Sequence, residues 1–404
     1  MTGILPTESP AAGTSTSPRL GELAALFFKL GVISFGGPAA HIAMIEAEIV
    51  RKRGWVSNQQ FLDMLGASNL IPGPTSTELA ITTGFARAGW PGLWVAGACF
   101  ISPAALITGV FAWAYVRFGS LPQTASVLVG IKPAVIAVIA IAVWRLARTA
   151  AKNVELALLG ILGLFAFFLG ANPLLVLFGG GLVGMLARRF PRSHGVDSTL
   201  LLVRREGFLL SSFRISALAA ATSIGAIAVR PSIARIGIFF LKLGAVLYGG
   251  GYVLLAFLQH GLVQQNGWLT QRQLLDAVAI GQFTPGPVFS TATFIGYLLG
   301  GVPGAAVATV GIFLPSFFYV ALLAPVLFRL RQSPWISAFL DAVNICAVSL
   351  MIGVTFRLGM DAMRGWGAWV IGAVSLGVLL RWKVSPAWIV LGGGIAGLVL
   401  AAIP

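Results

Sequence analysis

Proline, glycine and proline follow one another at Pro72-Gly73-Pro74, in strongly apolar sequence, and the hydroxyl residues Thr75, Ser76 and Thr77 come at once after them. Proline donates no backbone hydrogen bond and disfavours helix in the residue before it, so a helix must stop here. Thr75 or Ser76 can then cap a new helix whose first N–H groups point back at the break. In water this would be an ordinary turn. Inside a membrane, irregular backbone survives only where protein surrounds it or where it lines a cavity. The same device returns 213 residues later (72 to 285) as Gln282 to Thr291, QFTPGPVFST. A matched pair of broken helices is the best sequence pointer to a transporter's binding site.

The membrane setting follows from composition. The chain is 57% hydrophobic and 10% charged, against roughly 25% charged in soluble domains. Its mean hydropathy is +0.92, and apolar runs of about 20 residues recur throughout. The expected fold class is therefore all-α, a polytopic membrane protein. A net charge of +15 could suggest nucleic acid, but the basic residues sit in short clusters between apolar runs. Examples are Arg51-Lys52-Arg53, Arg145/Arg148/Lys152, Arg188-Arg189/Arg192 and Arg329/Arg331. That is the positive-inside pattern of cytoplasmic loops, and no nucleic-acid partner is implied. Cys99 and Cys346 both lie in apolar segments and suggest no disulfide framework.

The second half repeats the first. At an offset of 213, Lys29 matches Lys242, Gly36-Gly37 matches Gly249-Gly250, Trp55 matches Trp268, and Leu62-Asp63 matches Leu275-Asp276. The register then slips by one, pairing Pro91-Gly92 with Pro303-Gly304 and Arg145 with Arg357, and Gly179-Gly180-Gly181 matches Gly392-Gly393-Gly394. The expected organisation is a disordered tail over 1–18, an N-terminal repeat over 19–190, a cytoplasmic linker with a short apolar helix over 191–229, and a C-terminal repeat over 230–404. In the first repeat an apolar segment from Leu20 to Val50 is interrupted at Gly36-Gly37-Pro38. Residues 57–70 and 75–88 are too short to span singly and read as a re-entrant pair. Spans follow near 90–116, 122–146, 154–170 and 173–187. Five spans per half force opposite orientations, giving an inverted two-fold repeat of about ten spans with both termini outside.

Each half offers helix starts in mid-membrane, after its glycine pair and after its Pro-Gly-Pro. A helix N-terminus carries about half a positive charge and free N–H donors, and converging termini favour an oxyanion over a cation or a sugar. The candidate substrate-binding backbone and hydroxyls are Gly36, Gly37, Pro72, Gly73, Pro74, Thr75, Ser76, Gly249, Gly250, Pro285, Gly286, Pro287 and Ser290. Lys29, Lys242 and Lys132 are the candidate charges, since an intramembrane lysine is costly and functional by default. For Lys29 and Lys242 the alternative is snorkelling to the interface. Glu78, matched by Thr291, can complement a helix dipole or carry a coupling proton. Asp63 and Asp276 are further coupling candidates, with capping or pairing between helices as the alternative. His41, His194 and His260 share no metal-ligand spacing, and no catalytic or nucleotide-binding motif is present. No cofactor or metal is implied.

Leu30-Gly-Val-Ile-Ser-Phe-Gly-Gly-Pro38, Trp55-Val-Ser57, Asn69-Leu-Ile-Pro-Gly-Pro-Thr-Ser-Thr-Glu78 and Gly281-Gln-Phe-Thr-Pro-Gly-Pro287 resemble the chromate ion transporter family. The resemblance runs from about Leu20 onward, and the duplication is similar to the family's long-chain, two-domain form. It implies a multi-pass protein of the bacterial inner membrane that exports chromate, with sulfate as structural analogue. In the second half the first break reads Tyr248-Gly-Gly-Gly251 where the first half has Phe35-Gly-Gly-Pro38, so the two halves need not contribute equally. The expected function is a secondary transporter for a tetrahedral oxyanion working by alternating access. Transport of sulfate, molybdate or another anion is the alternative, and an enzyme acting on a phosphorylated lipid is a weaker one. A homo-oligomer is compatible with all of these.

Overall fold

A computed structural model of the chain describes residues 16–35, 38–69, 71–119, 122–187, 231–248, 253–323, 334–363, 365–382 and 384–402. Gly36, Gly37, Gly249, Gly250, the 191–229 linker and the first 15 residues of the tail lie outside this set. The first repeat holds α1 (Thr16–Ile33), α2 (Pro38–Glu46, continued by a π turn over Ala47–Lys52), α3 (Asn58–Ser68), α4 (Thr75–Phe118), α5 (Pro122–Ala150), α6 (Val154–Phe168) and α7 (Pro173–Ala187). The second holds α8 (Ile233–Val246), α9 (Leu254–Leu258, continued by a π turn over Gln259–Gln265) and α10 (Gln271–Phe283). After a 3₁₀ turn at Val288–Ser290 come α11 (Thr291–Leu323), α12 (Pro334–Ala362), α13 (Trp366–Arg381) and α14 (Pro386–Ala402). Among the described residues every helix has its counterpart and there is no strand. α1 begins at Thr16, so residues 16–18, expected in the tail, form its first turn.

The two longest helices are not continuous rods. α4 leaves helical geometry at Ala88 and Gly89, and α11 does so at Gly300 and Gly301. Gly89 and Gly301 have φ of +60° and +62°, a region that only glycine adopts without strain. The chain doubles back there. Gly84 and Gly92 approach so closely that a Cβ on either would strike the other's carbonyl oxygen, and Gly296 and Gly304 do the same. The re-entrant reading thus holds: α3 and the first part of α4 enter and return, and the long second part, from Trp90, crosses.

The repeats are inverted. Equivalent helices α5 and α12 lie against each other with Ile136 on Gly359 at one end and Lys152 Nζ 2.7 Å from Asp341 Oδ1 at the other. They run antiparallel, so the pseudo-two-fold axis lies across the helices, in the plane of the membrane. Among the described residues four helices are long and apolar enough to cross: α4, α5 (from Ser126), α11 with its preceding turn, and α12 (from Trp335). α6, α7, α13 and α14 are shorter. At 1.5 Å per residue the 15-residue α6 is about 22 Å long, short of a hydrocarbon core of about 30 Å. These four form two hairpins, which add two crossings each or none, so the inversion does not depend on them.

The halves also interlace. α6 and α7 of the first repeat pack on α12 of the second, and α13 and α14 of the second pack on α5 of the first. The matched glycine triplets make this possible: Gly180 lies against Cys346, and Gly393 lies against Ala134 and the Gly130 carbonyl. Neither repeat buries its own long helix alone. Around α4, α5, α11 and α12 the outer faces of the hairpins present Val154, Ile161, Phe165 and Ile395 outward, as a lipid-facing shell does.

Candidate functional site

The Pro-Gly-Pro loops and the ends of the broken helices meet at the pseudo-axis. Gly73 has φ of +138° and Gly286 of +87°, conformations open to glycine alone at little cost. The Gly73 N–H donates to the carbonyl of Leu247 at 2.8 Å, and the Gly286 N–H donates to the carbonyl of Ser34 at 2.8 Å. Ser34 follows α1 and Leu247 follows α8, each just ahead of the glycine pair. Every re-entrant loop is therefore pinned to the broken helix of the opposite repeat.

The helix starts at these loops differ from those of the helices that lead into them, α3 and α10. α3 begins with Ser57 accepting from the Gln60 N–H, and α10 with Thr270 accepting from the Gln273 N–H, each closed by the glutamine reaching back. The starts after Pro74 and Pro287 have no side-chain cap. Here the structure departs from the expectation that Thr75 or Ser76 would cap α4. Pro74 takes the cap position in extended geometry, which makes Thr75 the first helical residue and turns its hydroxyl toward Asn69 Oδ1 at 3.4 Å. Ser76 Oγ faces His41 Nδ1 at 3.3 Å, and Thr77 Oγ1 is buried without a partner. In the second repeat Ser290 Oγ accepts from Thr108 at 3.3 Å. Two buried helix starts thus keep their N–H groups uncapped in a low-dielectric interior, where such donors are strongest toward an anion.

His41, fully buried, ties the two breaks of the first repeat together. Its Nε2 lies 3.1 Å from the Ser34 carbonyl. A carbonyl only accepts, so Nε2 carries the proton and donates. Nδ1 then accepts from Ser76. Beside this pair, Glu78 is buried with Oε1 3.5 Å from Ser316 Oγ and Oε2 unpartnered. Both Glu78 Oε1 and Ser316 Oγ press on Gly73, whereas Gly286 is faced by the Ala104 Cβ and the Gly31 carbonyl. Side-chain oxygens stand where a Cβ on Gly73 would lie, and none does so at Gly286.

The lysines divide. Lys132 is buried and pairs with Asp276 Oδ1 at 3.0 Å, while Tyr115 donates to Asp276 Oδ2 at 2.8 Å. Its charge is answered by protein. Lys29 is 55% exposed and lies 3.4 Å from Glu48 Oε1, in a cluster with Lys52 and Arg53. Lys242 is exposed on α8. Neither is brought to the breaks. Asp63 accepts from Gln59 at 3.3 Å on the half-covered helix α3. The sequence reading missed His41, Tyr115, Thr108 and Ser316. A lone polar residue in an apolar run was their one signal, and a long one-dimensional spacing gives it no partner.

A groove of about 790 Å³ runs between the second parts of α4 and α11, lined by Trp94, Trp113, Tyr297, Phe313 and Phe317 among others. Its walls are apolar apart from a few hydroxyls such as the Thr293–Thr309 pair, so it cannot compensate a dianion. No group of three or more His, Cys, Asp or Glu residues with metal-binding geometry occurs among the described residues.

No solved structure matches the chain. A family model described as chromate transporter matches it twice, over residues 21–185 and 234–398. The chromate transport protein of Cupriavidus metallidurans is 32% identical over 400 residues, covering 98% of this chain and 97% of its own. That of Pseudomonas aeruginosa is 30% identical over 394 residues, with 93% and 91% covered. A probable chromate transport protein of Synechococcus elongatus is 31% identical over 376 residues, with 91% of each covered. The matched segments coincide with the two structural repeats, and the chain belongs to the chromate transporter family.

Proposed function

We propose that this chain carries chromate out of the cytoplasm as a secondary transporter, by alternating access about the crossing of its two Pro-Gly-Pro loops. The observation that carries the reading is the contrast in capping within each re-entrant pair: the starts of α3 and α10 are closed by side chains, and the helix starts at the buried crossing are not. The uncapped amides after Pro74 and Pro287, with the hydroxyls of Thr75, Ser76, Thr77 and Ser290, would take a tetrahedral oxyanion. Each hydrogen bond to a charged group is worth about 1.5–3 kcal/mol. Pro72, Pro74, Pro285 and Pro287 hold the loops open, and Gly73 and Gly286 let the backbone approach the ligand. The flanking pairs Gly36-Gly37 and Gly249-Gly250 stand next to Ser34 and Leu247 in sequence and would close the site.

Glu78 is the coupling residue in this reading. Its unpartnered Oε2 at the uncapped end of α4 suits a proton that neutralises the carboxylate when the dianion arrives. Proton and anion then travel together with a single net negative charge, which a membrane potential negative inside drives outward. The Arg51-Lys52-Arg53 cluster ahead of α3 puts that face toward the cytoplasm by the positive-inside rule, and the direction of net transport is what the vesicle test reads. The test is chromate uptake into everted membrane vesicles, with and without an imposed pH gradient and with sulfate as competitor. Gradient-dependent chromate accumulation is the expected result. Sulfate accumulation without chromate accumulation would replace the substrate, and the absence of any anion flux would end the transporter reading for this chain.

A further inference from the structure

The inverted repeat is broken at one pair of elements. α10 is buried nearly all round, by α5, α12 and α14 as well as its own neighbour α11. Its equivalent α3 packs to any extent only on α4 among the described helices. The difference shows at matched residues: Leu275 is 3% exposed and Leu62 is 46% exposed. Two helices of related sequence, in related positions, are thus held in two different ways.

Polar contacts mark the same difference. On α10, Asp276 is fully buried and is gripped by Lys132 of α5 at 3.0 Å and by Tyr115 of α4 at 2.8 Å. Both partners come from the opposite repeat. On α3, Asp63 is only half-covered, against the full burial of Asp276, and one of its hydrogen bonds comes from Gln59 of the same helix. The residue matching Lys132 is Asn344, so an equivalent ion pair cannot form on that side. An ion pair removed from water is costly unless each charge is well compensated, and here the Lys132 ammonium faces one oxygen of Asp276 while the Tyr115 hydroxyl serves the other.

We propose that Lys132, Asp276 and Tyr115 are positioning residues that latch α10 as the shut gate on the face opposite Arg51–Arg53, and that α3 is the released gate on the basic face. The inference rests on the alternating-access reading above. In the opposite state α10 leaves α5 and the ion pair opens, while α3 moves in against α12 and α7 with Asp63 toward Asn344. Because Asn344 carries no charge, the α3 gate closes on a weaker contact, and the state with α10 shut is the resting one.

The test is gate accessibility, read without any substrate, so that its failure is distinct from a mistaken cargo. In a background with Cys99→Ala and Cys346→Ala that retains transport, Leu62→Cys and Leu275→Cys are placed singly and labelled with a membrane-impermeant maleimide. Labelling is done from both faces of native vesicles. Leu62→Cys should react at least about tenfold faster than Leu275→Cys, as expected if the minor state holds a tenth of the molecules or less. Asp276→Asn, Lys132→Met or Tyr115→Phe should each raise Leu275→Cys labelling and lower Leu62→Cys labelling in the same variants, whereas a loss of the fold would raise both. Equal reactivity at the two sites in the unlatched and latched proteins would overturn the proposal. So would a Leu275→Cys that stays protected when the latch is removed. If the charge variants fail to accumulate, Tyr115→Phe, which deletes one hydroxyl, decides alone.

Discussion

The amide of Gly73 donates to the carbonyl of Leu247 at 2.8 Å, across the boundary between the repeats. Gly286 and Ser34 reproduce the bond at equal length on the other side of the pseudo-axis. Residues 213 apart in sequence thus exchange roles, and neither break can move without the opposite repeat responding. A membrane interior offers no water to replace these bonds, so each persists or is exchanged for another partner.

Gly73→Ala and Gly286→Ala follow from that geometry. A Cβ at Gly73 would strike Glu78 Oε1 and Ser316 Oγ, and one at Gly286 would strike the Ala104 Cβ. Both positions also have positive φ. Strain of this kind costs about 1–3 kcal/mol, enough for a roughly 5- to 150-fold loss of transport at unchanged membrane levels. Pro72→Ala and Pro285→Ala relax the loops without a collision and should impair transport less than the glycine variants, yet more than they impair insertion. Vesicle uptake normalised to protein in the membrane checks both. Normal efflux from both proline variants would reduce the breaks to structural kinks.

Glu78→Gln separates coupling from binding. The amide keeps size and can still meet Ser316, but it cannot exchange a proton. Chromate should still exchange between the two sides in counterflow, while uphill accumulation driven by a pH gradient should fall to background. A Glu78→Gln protein that still concentrates chromate in response to the gradient would rule the residue out as the coupling group.

Much of this arrangement was legible in sequence because proline and glycine act locally. Pro72 and Pro285 stop helices whatever surrounds them, and the offset of 213 exposes the duplication without any three-dimensional knowledge. The inversion was legible through span parity and loop charge. The interlacing of the halves was not, since nothing in the apolar run of α6 says that it packs on α12 rather than α5. The contacts of Asp276 were also hidden: Tyr115 is 161 residues away, and Lys132 lies in the opposite repeat. His41 carried no spacing signal because its partners are a carbonyl and a serine. The expected cap at Thr75 or Ser76 failed because Pro74 already occupies that place.

Orientation can be checked at described residues. Cysteines introduced beside Arg53 and beside Asn266 occupy equivalent loops ahead of α3 and α10. In an inverted repeat they must label from opposite faces, the Arg53 site from the cytoplasm by the positive-inside rule. Labelling of both from one face would contradict the antiparallel packing of α5 on α12.

The lysines give the sharpest division between buried and surface charge. Lys29 is 55% exposed beside Glu48, itself served by Lys52 and Arg53. Exposed pairs contribute about 0.2–1 kcal/mol, so Lys29→Gln should change apparent chromate affinity by less than about 5-fold. Lys242→Gln should be as mild, because its exposed ammonium on α8 is away from the breaks. Lys132 differs. Removing it strands the buried Asp276 carboxylate, and breaking one side of a buried pair costs about 3–5 kcal/mol. Lys132→Gln should therefore lower transport or membrane yield far more than the other two. Lys132→Gln combined with Asp276→Asn should recover yield, because the stranded charge is gone, while leaving transport impaired because the latch is gone too. If Lys29→Gln and Lys242→Gln abolished chromate affinity while Lys132→Gln did not, the anion would be held by the outer lysines and the uncapped helix starts would lose their role.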